Sequence, residues 1–436
     1  MNETTCECKR WANLVVRVMV DDSNIPELAI SIDRLRDNIE NLAKIGATDS
    51  GGISRFALSK EEFQARRLII DCMKRVGLEI RIDNVGNLYG RRKGSERELA
   101  PIMTGSHIDT QPNGGRFDGA LGVLGAIESL TTLNENNITT RHPIEVVVFV
   151  NEEGHFIPGM SGSKAIAGIS TVEETHQSRN AQGITYLDAM KRGGLDPSSC
   201  SPAKKVKGEI HAFVELHIEQ APRLYKEKIP IGIVQNIVGL TIMAGTIIGR
   251  ADHQALSLDL RKDALLAAAE IVLAVNQIPR GISETAVGLV GKLNVFPGAS
   301  SVVPGRVEFT VDLRDIEGGN LKELENRVTQ KVAEVCGRRG LQYRIETSLR
   351  VEPAHLSEVV IHSMERAVGK LKLNSKKMYS GAGHDTQNMA KITDVGMIFV
   401  PSKDGRSHCP EEWTDWDAVE RGCNVLLHTL LELDQA

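Results

Sequence analysis

The chain has 436 residues, a formal net charge of −5, 41% hydrophobic residues and 25% charged residues. These values are typical of a globular protein with two or three domains, and the lack of a basic excess argues against a nucleic-acid partner. No apolar run approaches the roughly 20 residues that span a bilayer, so we expect no membrane partner either.

The cysteines and the N-terminal stretch indicate the compartment. The stretch MNETTCECKRWANLVVRVMVDDSN has a short apolar run but lacks the small-residue cleavage site of a secretory signal. Seven cysteines are scattered along the chain, and only Cys6 and Cys8 are close together. This set is not typical of a disulfide framework, and no second pair completes a four-ligand zinc site. We therefore expect reduced thiols and a cytoplasmic protein.

Helical and strand-like segments alternate from about residue 60 onward. The segment KEEFQARRLIIDCMKRVGL has helical periodicity, EIRIDNVGNLYG and APIMTG read as strands, and GALGVLGAIESLTTLNEN reads as a helix. The β-branched run PIEVVVFV, residues 143–150, is typical of a strand that is buried on both faces. The pattern predicts an α/β fold with a mainly parallel sheet flanked by helices.

The pattern changes between residues 232 and 345. There the strand IVGLTIMAGTIIG is followed by the helix RKDALLAAAEIVLAVNQI, the strands AVGLVGKLNV and VVPGRVEFTVDLRD, the helix NLKELENRVTQKVAEVCG and the strand QYRIETSL. This order predicts a four-stranded split βαβ module inserted as a second, α+β domain. The first pattern then resumes with MIFVPS and WDAVERGCNVLLHTLLEL, so residues 1–231 and 346–436 are predicted to form the other domain.

Side chains of the metal-ligand type follow four predicted strands. They are His107, Asp109 and Asp118; Glu152 and Glu153; Glu215, His217 and Glu219; and His408. In open α/β sheets, sites form in the crevice beyond the carboxyl ends of the strands. Taken singly, a lone histidine there is usually a satisfied polar residue, and a glutamate pair is usually a solvated helix start. Adjacent acids directly behind an apolar strand are nevertheless costly to desolvate without a cation, so the joint pattern favours a metal site.

Three histidines and two or three carboxylates can hold two divalent ions, with one carboxylate bridging them. Two such ions, about 3.5–4 Å apart, polarise a carbonyl and activate a water molecule, which makes hydrolysis the natural chemistry. Glu152 and Glu153 offer one metal ligand and one general acid/base. Asp109, two residues after His107, can accept the other imidazole N–H and fix its tautomer.

The motifs GSHIDT, GGRFDGALG, NEEG, ELHIEQ and SHCPEE resemble, in this order, those of the dinuclear metallo-amidohydrolases. These include N-carbamoyl-L-amino-acid hydrolases, allantoate amidohydrolases and β-ureidopropionases, within the wider aminoacylase and carboxypeptidase-like metallopeptidases. The resemblance extends over nearly the whole chain from about residue 30. It implies a zinc-exopeptidase-like catalytic domain with an inserted ferredoxin-like domain that serves as lid and dimerisation domain. ELHIEQ distinguishes the amidohydrolase branch from the peptidase branch, in which an acidic ligand replaces the histidine.

The resemblance also implies roles for single residues. One ion would be held by His107, Asp118 and His217, and the other by Asp118, Glu153 and His408, with Asp118 bridging. Glu152 would be the general acid/base, and Asp109 the partner of His107. The ions would be zinc, manganese or cobalt, because nitrogen and oxygen ligands bind several first-row metals.

Three further residues match positions that face the substrate in that family. Gln220 would lie near the substrate, and His253 would reach across a homodimer interface to stabilise the oxyanion. Arg314 would bind the substrate carboxylate, for which a planar bidentate fork is suited. From its strand alone, Arg314 is more simply a surface residue.

The chain departs from the family pattern at positions that face the substrate. The segment DHQALSLDLRKDA after the lid histidine replaces the usual HAGTTPM, is about one residue shorter, and lacks its glycine and proline. Ser301 stands where the family has an asparagine that binds the substrate, and His155 stands where a small residue is usual. The first two changes lie outside the metal ligands and bear on the choice of substrate. His155 would add a donor near the pocket, but it is more simply a solvated loop histidine.

The sequence therefore predicts a metal-dependent hydrolase of linear C–N amide or ureido bonds in a small substrate that bears a carboxylate. An N-carbamoyl-L-amino acid, which would give the amino acid, ammonia and carbon dioxide, is the leading hypothesis. Allantoate or another ureido acid is the alternative within the class. Outside it, the alternatives are a dipeptidase or aminoacylase and a catalytically inactive binding protein that retains the fold.

Overall fold

The computed structural model describes residues 28–436. The N-terminal stretch that contains Cys6 and Cys8 lies outside the described residues. The strands are β1 Glu79–Ile82, β2 Leu88–Arg92, β3 Ile102–His107, β4 Ile144–Phe149, β5 Ala212–Ile218, β6 Ile231–Ile237, β7 Gly239–Ile248, β8 Asp252–His253, β9 Val287–Phe296, β10 Val302–Val303, β11 Arg306–Asp315, β12 Gln342–Val351, β13 Ala354–His355, β14 Ser375–Ser380 and β15 Asp394–Val400. The helices are α1 Ile32–Ala43, α2 Lys60–Arg75, α3 Ala120–Glu135, α4 Ser161–Ile166, α5 Val172–Gln177, α6 Tyr186–Arg192, α7 Arg223–Glu227, α8 Ala264–Gln277, α9 Gly318–Arg339, α10 Glu358–Lys370, α11 Asp385–Met389 and α12 Trp416–Asp434.

The larger sheet has the strand order β1-β2-β4-β3-β5-β15-β6-β13, with β14 also paired to β6. Its four central strands, β4, β3, β5 and β15, run parallel. Every residue of β3, β4 and β5 is buried, as expected of strands covered on both faces. Helices α3, α10 and α12 pack together and against these strands. The predicted α/β fold with helices flanking a parallel core is confirmed.

The smaller sheet has the strand order β12-β7-β11-β9 and is entirely antiparallel. Helices α8 and α9 pack on it, which gives the β-α-β-β-α-β arrangement of a ferredoxin-like module. In β11, Val307, Phe309, Val311 and Leu313 are buried and alternate with more exposed residues. This alternation is the one that VEFTVDLR predicts for a sheet with one wet face. We call this module, residues 239–351, the small domain, and the rest the large domain.

The junction between the two sheets lies a few residues beyond both predicted boundaries, 232 and 345. Residues 231–237 form β6 of the larger sheet, and the smaller sheet begins at Gly239 and ends at Val351. Since β6 and β7 are separated only by Val238, they form one nearly continuous apolar run. Hydropathy alone therefore does not indicate where the chain passes from one sheet to the other.

Across residues 28–436, none of the helices combines the length and the apolar character needed to cross a bilayer. Five cysteines in the same range are free thiols, as expected: Cys72, Cys200, Cys336, Cys409 and Cys423.

Candidate metal centre

The candidate ligands converge at the carboxyl edge of the parallel strands. His107 is the last residue of β3, and Glu152 and Glu153 follow β4 after a two-residue turn. His217 lies near the end of β5, and His408 lies in the loop after β15. Because parallel strands end at the same edge of a sheet, four segments distant in sequence bring their side chains together there.

Asp118 lies at the middle of the cluster, just before helix α3, and is buried. Its Oδ1 is 3.1 Å from Nε2 of His217 and 3.6 Å from Nε2 of His107. Its Oδ2 is 3.0 Å from Nε2 of His408. Burial opposes ionisation of this carboxyl, but when the three imidazoles are protonated, their hydrogen bonds outweigh burial and hold its pKa well below the usual range. The two oxygens therefore face different groups of ligands, as a bridging carboxylate requires.

The tautomers of two histidines follow from their main-chain contacts. Nδ1 of His107 is 3.0 Å from the carbonyl oxygen of Asp109, and Nδ1 of His217 is 2.9 Å from that of Ile218. A carbonyl only accepts, so each Nδ1 carries the proton and donates it. In the neutral ring, Nε2 then presents a lone pair to Asp118.

These residues fit a divalent metal ion. Two imidazole lone pairs and a carboxylate oxygen that point at one another repel unless a cation lies between them. Ligand atoms at about 2.0 Å from a tetrahedral zinc ion lie about 3.3 Å apart, close to the separations around Asp118. Ligand atoms of His107, Asp118 and His217 all lie within 4.8 Å of one another, and so do those of Asp118, Glu153 and His408.

Glu153 joins the second group through His408, whose Nε2 is 3.6 Å from Oε2 of Glu153. Burial, with the charge of Asp118 nearby, raises the pKa of Glu153 to about 7. The Gln111 side chain donates to Oε2 of Glu153 at 2.9 Å, and its main-chain N–H donates to Oε1 at 3.2 Å. Because both oxygens of Glu153 accept hydrogen bonds, the orientation of this carboxylate is fixed before any metal ion binds.

Glu152 lies beside the first group, with Oε2 3.8 Å from Nε2 of His107. Burial raises its pKa well above the usual range, and the charge of Glu153 adds to the effect. A carboxyl that is buried and easily protonated at this distance is suited to accept and return a proton.

Asp109 acts differently from the predicted arrangement. Its carboxylate lies 3.6 Å from Nδ1 of His107, too far for a good hydrogen bond, and its carbonyl oxygen is the acceptor instead. The carboxylate accepts the main-chain N–H groups of Glu152 at 3.3 Å and Glu153 at 3.2 Å. Asp109 thus joins the loop after β3 to the loop after β4.

Gln220 contacts the cluster directly. Its Nε2 donates to Oδ2 of Asp118 at 2.9 Å and lies 3.3 Å from Nε2 of His408. Its Oε1 is buried and has no hydrogen-bond partner. Both Gln220 and His408 have φ near +56°, which costs a non-glycine residue energy and is common at functional sites.

The other predicted substrate residues belong to the small domain. His253 and Ser301 are brought together by the short β8–β10 pair, in which His253 pairs with Val302 and the N–H of Gln254 donates to the Ser301 carbonyl at 3.1 Å. Arg314 is held by Asp312 at 3.0 Å and donates to the carbonyl of Gly381 at 2.9 Å. For none of these three is a hydrogen bond to the metal-type ligands found within residues 28–436.

His155, the unusual residue of NEEGHF, is held by neighbours other than the metal-type ligands. Its ring stacks on Phe56 with centroids 4.9 Å apart, and its Nε2 is 3.3 Å from Nδ2 of Asn180. Burial lowers its pKa. The ring therefore extends an aromatic surface at the end of the loop that carries Glu152.

Glu412 is a site residue that the sequence reasoning missed. It is buried, and its Oε1 accepts the main-chain N–H of Phe117 at 2.9 Å and of Asp118 at 3.2 Å. Ser407 donates to Oε2 of Glu412 at 2.8 Å and also contacts Oδ2 of Asp118 at 3.0 Å. Glu412 is the second glutamate of SHCPEE. Nothing in the sequence indicates that this glutamate binds the main chain of a distant loop.

A second missed segment is GHDTQ, residues 383–387, which leads into α11 and includes its first turn. The ring of His384 lies 4.6 Å from that of His217, centroid to centroid. Thr386 donates its hydroxyl to Oε2 of Glu215 at 2.5 Å, and Ser106 donates to Oε1 at 2.7 Å. Glu215 is therefore satisfied by hydroxyl donors and serves as a buried support beneath His217.

Comparison with known proteins identifies the family. The chain matches the profile of Peptidase family M20/M25/M40 over residues 103–432. It belongs to this family. The M20/M25/M40 match includes every ligand position described above, and the predicted family relationship is confirmed.

The relatives of this M20/M25/M40 chain include amidohydrolases. It is 38% identical over 405 residues to an N-carbamoyl-L-amino-acid amidohydrolase of Paenarthrobacter aurescens, covering 92% of this chain and 98% of that one. It is 33% identical to an allantoate amidohydrolase of Bacillus subtilis, covering 92% and 97%. A solved amidase of the hydantoinase/carbamoylase family from Burkholderia multivorans has a TM-score of 0.89 at 35% identity and covers 94% of this chain and 100% of its own.

We predict that Gly119→Ala weakens metal binding. Gly119 has φ of +63°, and a β-carbon there would lie 2.6 Å from the ring of His107. The left-handed backbone costs an alanine roughly 1–2 kcal/mol, and the contact pushes the imidazole away from Asp118. Elemental analysis after dialysis should show less bound metal than in the parent, together with a lower Tm.

Gly183→Ala is the matched control. Gly183 also has positive φ, +78°, but a β-carbon there meets no atom within 4 Å. This variant should therefore lower Tm without changing the metal content. Equal loss of metal from both variants would show that general destabilisation, rather than the His107 contact, is responsible.

Proposed function

We propose that the protein hydrolyses a linear C–N bond of a small carboxylate-bearing ureido compound, most simply an N-carbamoyl-L-amino acid. One water adds to the carbamoyl carbon, the bond to the amino nitrogen breaks, and the carbamic acid released decomposes to ammonia and carbon dioxide. The observation that carries this proposal is the Asp118 carboxylate, whose two oxygens face separate ligand groups beside Glu152. The carbamoyl amino acid amidohydrolases among the relatives support the substrate class.

Two divalent metal ions would occupy the cluster. His107 and His217 would hold one, Glu153 and His408 the other, and Asp118 would bridge them. When bound, such a pair polarises a carbonyl and lowers the pKa of a water molecule. Zinc, manganese and cobalt all suit this donor set, so cellular availability decides among them.

Glu152 would act as the general acid/base. It would accept a proton from the attacking water and deliver it to the departing nitrogen, which needs a carboxyl whose two protonation states are both accessible. Its burial beside His107 and the raised pKa support this role. Asp109 would position Glu152 by holding its main-chain N–H.

The small domain would supply recognition of the substrate. Arg314 would bind the carboxylate, because its guanidinium forms paired hydrogen bonds with such a group. Here both sides of that fork are taken up by Asp312 and the Gly381 carbonyl, so binding would require Arg314 to exchange partners. His253, Ser301 and Gln220 would contact the reacting ureido group.

Allantoate is the second candidate substrate. It is favoured by the similarity to the allantoate amidohydrolase of Bacillus subtilis. Allantoate carries two ureido groups and a carboxylate, so the same chemistry applies. A dipeptidase or aminoacylase would use the same metals, and an inactive binding protein would retain the same cluster.

The reducing environment of the cytoplasm is the proposed setting. Free Cys72, Cys336 and Cys423 are buried, and Cys200 and Cys409 are partly exposed. Exposed thiols persist in a reducing compartment, whereas oxidising ones favour disulfides.

A substrate panel tests the function. Metal-free protein is supplied separately with Mn²⁺, Co²⁺ and Zn²⁺ and assayed with N-carbamoyl-L-amino acids, allantoate, N-acyl amino acids and dipeptides. We expect turnover of carbamoyl substrates with release of ammonia, and no turnover without added metal. Cleavage of dipeptides or N-acyl amino acids alone would contradict the proposal, and turnover of allantoate alone would select the second candidate.

Glu152→Gln tests the acid/base role. The amide keeps the shape of the side chain but does not accept the proton, so we expect kcat to fall by about 10²–10⁴-fold while the metal content stays at the parent level. Glu153→Gln is the control on the adjacent residue, and it should lose metal from the second group. Parent-like turnover in Glu152→Gln would refute the assignment.

The protein is also proposed to be a homodimer through the small domain. Strand β9 is an edge of the smaller sheet, and its Val287 and Leu289 are 54% and 62% exposed. On α8, Leu266 and Leu273, seven residues apart on one side of the helix, are 50% and 63% exposed. An unpaired edge beside an apolar helix face is typical of an interface. A second copy on this face could bring its His253 to the neighbouring site.

We predict that Leu273→Glu dissociates the dimer, because a carboxylate would be buried at the interface without a partner. Analytical ultracentrifugation should give twice the chain mass for the parent and the single chain mass for the variant. Val359→Glu, at a 56% exposed position on α10 of the large domain, is the control and should remain dimeric. A fully active monomeric parent at the assay concentration would contradict both the dimer and the role of His253.

A further inference from the structure

Two chain segments connect the domains, and they do not pair with each other as strands at the point of crossing. Pairing of β6 with β13 ends at Ile237 and Ala354, and pairing of β7 with β12 ends at Leu240 and Val351. Two residues of each segment lie between these two pairs of opposite residues. The segments 238–239 and 352–353 therefore run side by side. A β-carbon on Gly239 would lie 2.6 Å from the nitrogen of Pro353, which shows how closely they pass. The ladder is thus interrupted where the two domains meet.

One side chain of the large domain binds both segments at this interruption. Nε2 of Gln387 donates to the carbonyl of Val238 at 3.0 Å and to the carbonyl of Glu352 at 2.8 Å. Gln387 is only 4% exposed, and its bond to Val238 is buried, whereas its bond to Glu352 is partly buried. A primary amide carries two N–H donors, and here each is used on a different segment. Val238 is also held through its N–H, which donates to the carbonyl of Ser380 at 3.0 Å.

The segment that carries Gln387 also supports the metal centre. Thr386 binds Glu215 of β5, and the His384 ring packs on that of His217. Arg314 of the small domain donates to the carbonyl of Gly381, a few residues earlier. The loop from Ser380 to Gln387 is therefore in contact with the metal-ligand strand, with both connecting segments and with the small domain.

We propose that Gln387 is a positioning residue that sets the orientation of the small domain relative to the metal centre. Its amide replaces ladder hydrogen bonds where the ladder is interrupted, and it restrains rotation of both segments at once. The kinetic consequence rests on the proposed function, in which Arg314 and His253 act from the small domain. Loss of the amide removes this donor from the buried carbonyl of Val238 and from the partly buried carbonyl of Glu352, and frees the crossing point to bend.

Gln387→Met tests this role, because methionine has a similar volume and no donor. Small-angle X-ray scattering of the metal-loaded parent and variant compares the distribution of interdomain distances. We expect a larger radius of gyration and a broader distance distribution in the variant, with unchanged metal content. We also expect KM for the carbamoyl substrate to rise about tenfold, because the net contribution of one to two hydrogen bonds is lost. The value of kcat should stay within about twofold of the parent value.

Asn388→Leu is the matched control on the same helix. Its Nδ2 donates to Oγ of Ser163 at 2.9 Å and contacts neither connecting segment, so the variant loses a buried amide without touching the crossing point. It should scatter like the parent. A Gln387→Met profile that superposes on the parent, or equal broadening in Asn388→Leu, would overturn the proposal.

Gln387→Asn serves as a second variant in case the methionine variant does not fold. The amide is kept but is one methylene shorter, so it can reach only one of the two carbonyls, and intermediate broadening is expected. A parent-like profile in a folded Gln387→Asn would overturn the proposal. Scattering and metal content need no turnover, so a protein inactive on carbamoyl substrates would refute the proposed function and leave this test intact.

Discussion

The rest of the site depends on the contacts of one buried carboxylate. This is the carboxylate of Asp118, which lies among the imidazoles of His107, His217 and His408. A buried charge is stable only when opposite charge or hydrogen bonds surround it, and Asp118 obtains these from three segments distant in sequence. The parallel strands bring two of the histidines to one edge, and the start of α3 directs Asp118 at them. The architecture of the large domain can be understood as the scaffold that keeps these groups within a few ångströms.

Much of this arrangement follows from the sequence. Polar residues placed directly behind buried strands predict that they meet at one edge, and the geometry brings His107, Asp118, Glu153, His217 and His408 together as the motifs imply. The alternation in VEFTVDLR predicts the wet face of β11, and the order of segments predicts the ferredoxin-like module. These patterns are readable because each depends on local periodicity or on the end of a strand.

Other features have no local signal. A spacing of two residues indicates that Asp109 is near His107, but it does not tell whether the carboxylate or the carbonyl accepts the hydrogen bond. Glu412 and Gln387 form hydrogen bonds with main-chain groups that are distant in sequence. Because main-chain groups do not depend on residue type, the sequence does not indicate which of them are the partners. The junction at Val238 lies inside an apolar run that continues from one sheet into the next. These contacts arise from tertiary packing, which a single sequence does not encode in periodic form.

The bond between Glu412 and the N–H of Phe117 spans 295 residues, and it has a consequence for how the protein is made. At a synthesis rate of roughly 5–20 residues per second, about 15–60 s pass between the emergence of the aspartate loop and that of the glutamate that holds it. During this time the nascent chain displays His107 and Asp118 without His408 or Glu412. The centre is thus completed only after residue 412 has been synthesised, and between the synthesis of His217 and that of His408 the growing polypeptide carries four of the five proposed metal ligands.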